Sequence, residues 1–305
     1  MGKHSLALEQ KENTRHGEQM FPLKKYLTRL NLDFPAVMPH WHEEAEFTMI
    51  TGGSCLYRIH LETYHANPGD LLFIPPLMLH SIENTSSLSM RSETYVFHLN
   101  FLGANAGDIC TARYFAPMGN QEFILPFLIS KEHPAYPSLM KIFCAISQTY
   151  QSRPFGYELM LRSLFLELLV SLLPYRRTEK NVPPLQTEHS EKLKTVLEYI
   201  GRHYSEDLSI GDLASLCYFS EYHFMRFFKK HVGMTCLNYI KNLRLEKAAA
   251  LLLAGEGSPL EVSLAAGFNN LSYFHREFKK KYGMTPREFI NSPDTAHFSP
   301  DLPLS

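Results

Sequence analysis

The chain has 305 residues, 45% of them hydrophobic and 20% charged, a globular composition of about two domains that excludes collagen-like, low-complexity and wholly disordered classes. The formal net charge of −1 excludes overall charge as a means of attracting nucleic acid, but residues 191–292 hold 14 Lys+Arg against 11 Asp+Glu while the remainder holds 16 against 20. The C-terminal third is therefore modestly basic.

Residues 1–20 are polar, lack the apolar core of a signal peptide and are expected to be mobile. From about Phe21 to Phe101 short apolar runs (EFTMIT, SCLYRIHL, DLLFIP, TYVFHLNF) alternate with Gly, Pro and Asn, the texture of a small β-sandwich or barrel. Four residues in this region carry chemistry: His40, His42, Glu46 and His80. His40-Trp41-His42-x3-Glu46 lies at the start of a predicted strand that Gly52-Gly53 ends, and alternation places His40, His42 and Glu46 on one face. Gly69-x5-Pro75 then leads to His80 and Asn84. The two segments resemble the paired motifs of cupins, with Leu77 standing where the second motif usually has glycine. In metal-binding cupins the matching quartet holds a divalent metal, and three imidazoles with a carboxylate suit iron, manganese, nickel or zinc. The alternative is a pocket for a small organic effector that requires no cofactor, its histidines lining the wall. Trp41, Tyr57 and Tyr95 are further pocket candidates, although aromatic residues in a barrel are commonly core.

Residues 102–135 show no clear period. From Tyr136 to Leu173 the period is helical, and Leu161, Leu164, Phe165, Leu168, Leu169 and Leu172 make one apolar stripe. Such a stripe packs on its own domain or on a second copy of the chain; the helices are expected to make a homodimer. Arg162 and Glu167 interrupt the run, which is too short and too charged to span a bilayer. Pro174 ends the helix, and 175–190 has almost no apolar content and reads as an interdomain linker. Short helices follow from Glu191 to about Asn291, broken at Ser209, Ser220, Gly233, Gly255–Pro259, 267–270 and Gly283; the tail beyond is expected to be disordered. The five cysteines form no CxxC pair, which fits a reducing cytoplasm rather than a disulfide framework.

Within that last region HFMRFFKKHVGMTCLNYI (223–240) recurs 50 positions later as YFHREFKKKYGMTPREFI (273–290), identical at nine positions, and an internal repeat accounts for this. In each copy the paired phenylalanines (Phe224 and Phe228, Phe274 and Phe278) share one helix face. Tyr222, Met225, Arg226 and Lys229 share the other in the first copy, and Ser272, His275, Arg276 and Lys279 in the second. A short helix, a turn and a second helix with a basic outer face form the helix-turn-helix pattern. Arginine on such a helix can bond guanine in a major groove, and the lysines near its end (Lys229, Lys230, Lys279, Lys280) suit phosphates. An α-helical repeat for protein contacts is the alternative, though two copies are few for a solenoid.

SPLEVSLAAGFNNLSYFHREFKKKYGMTPREF (258–289) resembles the signature of AraC/XylS-type transcription regulators, most specifically at Gly267-Phe268, Ser272–Phe274, Phe278–Lys280 and Gly283–Pro286. The resemblance covers about 191–291. It implies base contacts from Tyr222, Met225 and Arg226 in a first reader and from Leu271, Ser272, His275 and Arg276 in a second. Ser263 departs from the small alanine usual there. The expected architecture is α+β in two domains. A cupin-like β-barrel with dimerisation helices (21–174) senses an effector and is joined by the linker (175–190) to an all-α DNA-binding domain with two helix-turn-helix units (191–291). The expected function is a cytoplasmic, non-enzymatic regulator. Its partners would be double-stranded DNA, a small-molecule effector with a carbohydrate as candidate, and RNA polymerase if it activates. A metal-dependent cupin enzyme or a metal sensor fused to the DNA-binding module is the alternative.

Overall fold

The computed structural model describes residues 16–31, 36–85, 89–103, 108–178 and 184–291. Most of the polar N-terminus and the tail after Asn291, both expected to lack order, lie outside them. His16 does not fit that expectation: it is buried, with Nδ1 2.6 Å from the Tyr26 hydroxyl.

The N-terminal unit is built from antiparallel strands β1 (Leu23–Leu30), β2 (Ala36–His40), β3 (Ala45–Gly52), β4 (Cys55–Ile59), β5 (Glu62–Ala66), β6 (Leu71–Ile74), β7 (His80–Asn84), β8 (Met90–Phe97), β9 (Phe123–Ile124), β10 (Leu128–Ile129) and β11 (Arg177–Thr178). One sheet runs β1-β8-β3-β6-β10, a second runs β2-β7-β4-β5, and β11 pairs with β9. Register assigns the faces of the first sheet. Thr94 lies between Tyr26 and Thr48, and Ser92 between Thr28 and Ile50. These residues face the second sheet, where Ile50, Leu72 and Ile74 pack with Tyr57, Ile59 and Ile82. The alternate residues Phe47, Phe73, Tyr95 and Phe97 face the other way, as a two-residue side-chain period requires.

That outer face is covered by helices α2 (Tyr136–Ser152) and α3 (Tyr157–Leu172), which follow a short helix α1 (Ala116–Gly119). The stripe on α3 is spent here: Leu161, Phe165, Leu168, Leu169 and Leu172 are buried, and the tilted rings of Phe165 and Phe97 lie 4.5 Å apart between centroids. The stripe therefore builds the N-terminal unit's own core. Phe155, Leu159 and Val170 remain exposed on the outer side.

The C-terminal unit comprises α4 (Pro184–His203), α5 (Ile210–Leu216), α6 (Glu221–Val232), α7 (Cys236–Leu253), α8 (Pro259–Ala265), α9 (Leu271–Tyr282) and α10 (Pro286–Asn291). The stretch read as a linker thus contains β11 and the first turns of α4. Proline is tolerated at a helix start, and Glu188 and Lys192 pair at 2.6 Å one turn apart, a local signal that apolar content alone does not reveal. Side-chain caps start the later helices: Ser209, Ser220, Thr235, Ser258 and Asn270 each accept from a backbone N–H within the first turn. Gly233 and Gly283 end α6 and α9 with φ of 86° and 73°, a conformation glycine adopts without Cβ strain. Ser263 is tolerated because its hydroxyl donates to the Leu260 carbonyl at 2.8 Å.

Helix α7 belongs to two cores at once. Its first half (Cys236, Tyr239, Ile240, Leu243) packs with α4, α5 and α6. Its second half (Leu245, Ala248, Ala249, Leu252) packs with α8, α9 and α10. The first of these cores also takes in Trp41 and Leu79 from the N-terminal unit, with Met38, Leu61 and Leu77 packed against it.

Candidate functional sites

Helix α6 turns Phe224, Phe227 and Phe228 into its core and leaves Tyr222, Met225, Arg226, Lys229 and Lys230 exposed. Tyr222 is 67% exposed, and the Arg226 guanidinium lies 5.6 Å from its ring. The phenol thus supports a cation held outward. Helix α9 repeats the plan: Phe274 and Phe278 are buried, and Leu271, Ser272, Arg276, Lys279 and Lys280 are exposed. His275 is half-buried, its ring edge-on to Phe274. Arg276 is 70% exposed, lies 5.1 Å from the Tyr273 ring and donates to Glu277 at 3.4 Å. Glu277 is tied in turn to Lys241 of α7 at 2.9 Å.

Sequence reasoning missed two supporting residues here. Tyr273 backs Arg276 in the second reader, where Tyr222 backs Arg226 in the first. Lys281, third in a lysine run, is structural: it bonds Glu246 at 2.7 Å and pins α9 to α7. The helical period was the available signal, since Lys281 falls on the Phe274/Phe278 side of α9.

The second site lies inside the N-terminal unit. His40 ends β2, His80 begins β7, and the two are cross-strand partners. His42 follows in the turn, and Glu46 is the second residue of β3 in the other sheet. The expectation that one strand presents His40, His42 and Glu46 by alternation is corrected: the chain crosses from sheet to sheet at residues 41–44, and the four groups converge because the sheets face each other. Their donor atoms all lie within 4.8 Å of one another. Glu46 Oε1 is 3.0 Å from His42 Nε2 and 3.6 Å from His80 Nε2.

The three imidazoles are oriented alike. Nδ1 bonds the backbone carbonyl of Met38 for His40 (2.9 Å), of Glu44 for His42 (3.1 Å) and of Met78 for His80 (2.8 Å). A carbonyl only accepts, so each Nδ1 donates and each ring turns its Nε2 edge toward the centre of the quartet, where His42 Nε2 donates in turn to Glu46 Oε1. Burial, then the neighbouring His80 and His42, push His40 well below the usual imidazole range. Burial works to raise Glu46, but His80 and His42 outweigh it and hold the carboxyl well below its usual range. His16, unflagged in the polar N-terminus, packs 5.5 Å from the His42 ring.

Of the other pocket candidates, Tyr57 is fully buried in the barrel interior, its phenol pushed up by burial and then by Cys55 and Glu46. Tyr95 and Trp41 are corrected. Tyr95 faces the helices, its ring against Phe143 and Phe165 and its hydroxyl donating to Glu93 at 2.6 Å. Trp41 leaves the barrel for the core around α4, α5 and α6.

A double-sheet sensor joined to paired helix-turn-helix units defines a ligand-responsive DNA-binding protein. The family models agree: an AraC-like ligand binding domain matches residues 27–169 and a helix-turn-helix domain matches 213–292. The chain is 26% identical over 289 residues to the Uncharacterized HTH-type transcriptional regulator YdeC of Bacillus subtilis (strain 168), covering 92% of this chain and 95% of that one. It is 25% identical over 250 residues to the HTH-type transcriptional activator RhaS of Mannheimia succiniciproducens, covering 82% and 87%. Among solved structures, ToxT from Vibrio cholerae aligns over 88% of this chain and 97% of its own, at 13% identity and a TM-score of 0.40. This chain belongs to the AraC-type family of DNA-binding transcriptional regulators. No helix among the described residues is long and apolar enough to cross a membrane.

Proposed function

We propose that α6 and α9 enter successive major grooves on one face of double-stranded DNA. Base edges are met by Tyr222, Met225 and Arg226 in the first reader and by Leu271, Ser272, His275 and Arg276 in the second. Lys229, Lys230, Lys279 and Lys280 meet phosphates. The observation that carries this is the pair of capped helices, each with a buried aromatic face and, at the equivalent place, an arginine that leans on an exposed tyrosine. The N-terminal unit takes a small-molecule effector. Thr28, Thr48, Ser92 and Thr94 line the inner face of its first sheet; Thr48 and Thr94 bond each other at 2.9 Å while the buried Ser92 hydroxyl has no partner among the described residues, a polar lining that suits a carbohydrate. The regulator acts in the cytoplasm as a homodimer, contacting RNA polymerase where it activates.

Selecting DNA from a randomised pool with the full chain tests the reading. A recovered motif with two blocks one helical turn apart supports it; equal affinity for the selected and a scrambled fragment sinks it.

A further inference from the structure

Trp41 is the chain's one tryptophan. It stands between His40 and His42, yet its side chain is buried among residues of the first reader. Leu79, which immediately precedes His80, is buried in the same core, and Met38, whose carbonyl holds His40, is packed against it. Each histidine of the quartet is therefore next to, or hydrogen-bonded to, a residue seated on the first reader.

The contact continues to the end of α6. The Arg58 guanidinium of β4, paired with Glu83 at 2.8 Å, lies so close to Gly233 that an added Cβ would sit 2.6 Å from its Cζ. His231 bonds the backbone of Leu61. The reading face of α6 stays open meanwhile. The second reader is not held this way: among the described residues, its core draws on no sensor residue.

The quartet itself has the features of a prepared metal site. Three Nε2 atoms and a carboxylate converge. Each ring is aimed by a second hydrogen bond at Nδ1, the outer support that metal-bound histidines receive. His80 Nε2 is buried and has no hydrogen-bond partner, which calls for a ligand. Imidazole nitrogen favours zinc, iron, cobalt or nickel over magnesium or calcium. Bonds of about 2.0–2.2 Å would draw the donors closer together and join the turn at Trp41, the start of β3 and the start of β7.

We propose that His40, His42, Glu46 and His80 bind one divalent transition-metal ion, and that this ion fixes how Trp41 and Leu79, together with the adjoining Arg58 and Leu61, hold the first reader, making its grip on DNA metal-dependent. The second half rests on the assignment of α6 as a DNA reader.

The test uses the full chain, stripped with a chelator and titrated with zinc(II) or cobalt(II). The expected result is one ion per chain. Zinc should shift Trp41 emission with the same endpoint, and affinity for pool-selected DNA should tighten about fivefold or more over the stripped protein. His42→Ala and Glu46→Gln should each weaken metal binding about tenfold or more. No binding by the wild type, or equal binding by wild type and both variants, overturns the site. Binding without change in emission or DNA affinity overturns the coupling and leaves the site standing. The variant Arg58→Ala/Leu61→Ser lies away from the ligands. It should keep its zinc affinity and lose most of the zinc effect on DNA; full retention of that effect overturns the route. Loss of all preference for selected over scrambled DNA, with the emission shift intact, counts against the reading role of α6 and not against the ion.

Discussion

Arg226 and Arg276 hold the same place in the repeat, and both lean on a tyrosine, but at different positions: Tyr222 is four residues before Arg226 and Tyr273 three before Arg276. The two guanidiniums therefore leave their helices in different surroundings and need not read the same base. Arg276→Ala is expected to cost about 1–3 kcal/mol on the selected DNA and to relax preference at one base pair. Lys279→Ala should weaken all sequences alike and lower the salt slope by about one. Fluorescence anisotropy at several salt concentrations separates the two, and an equal loss from Arg276→Ala on random DNA would count against base reading. At this scale residue identity was legible and direction only partly so. The helical readers were legible because 3.6-residue periodicity assigns faces without knowledge of the neighbours. Tyr95 and Trp41 were misplaced because a strand's two faces look alike in sequence until the covering helices or the adjoining domain are known. Here α2 and α3 take Tyr95, and the first reader takes Trp41.

The C-terminal helices end where local chemistry stops them, which is why Ser209, Ser220, Gly233, Ser258 and Gly283 were readable as boundaries. Ser258 carries a reciprocal box: its hydroxyl accepts from Glu261 N–H at 3.3 Å, and Glu261 Oε2 accepts from Ser258 N–H at 2.8 Å. Ser258→Ala is expected to lower stability by about 0.5–2 kcal/mol, measured by urea unfolding. A loss within error would mean that tertiary packing alone holds α8. The β2–β3 passage was illegible for the opposite reason. Nothing local distinguishes a strand that continues from one that changes sheets at residues 41–44, so the quartet was found by spacing while its geometry needed both sheets.

For the whole molecule, the sequence separated a strand-rich half from a helical third but treated 175–190 as a divide. The two units instead share the core containing Trp41 and Leu79, an association of residues far apart in the chain that no window of sequence exposes. The same holds for assembly. The α3 stripe is committed to the N-terminal unit's own core, so a dimer built on α3 would use its other side, where Leu159 is 72% and Val170 64% exposed. Leu159→Glu/Val170→Glu should convert a dimer to monomers in light scattering while leaving the unfolding midpoint nearly unchanged. A dimer that survives both charges places the interface elsewhere.

Helix α7 gives up its two halves to the two readers' cores, and at about 1.5 Å per residue its 18 residues make a stiff rod rather than a tether. The promoter inherits that stiffness as a rule of phase. About 10–10.5 base pairs make one turn of DNA, so one inserted base pair between the two blocks swings one of them by roughly 35° around the axis. Single-base insertions in the spacer, whose letters no side chain reads, should then harm binding as much as changing a contacted letter, and five-base insertions should abolish two-block binding. Promoters under this regulator would tolerate spelling errors between the blocks and reject changes of length.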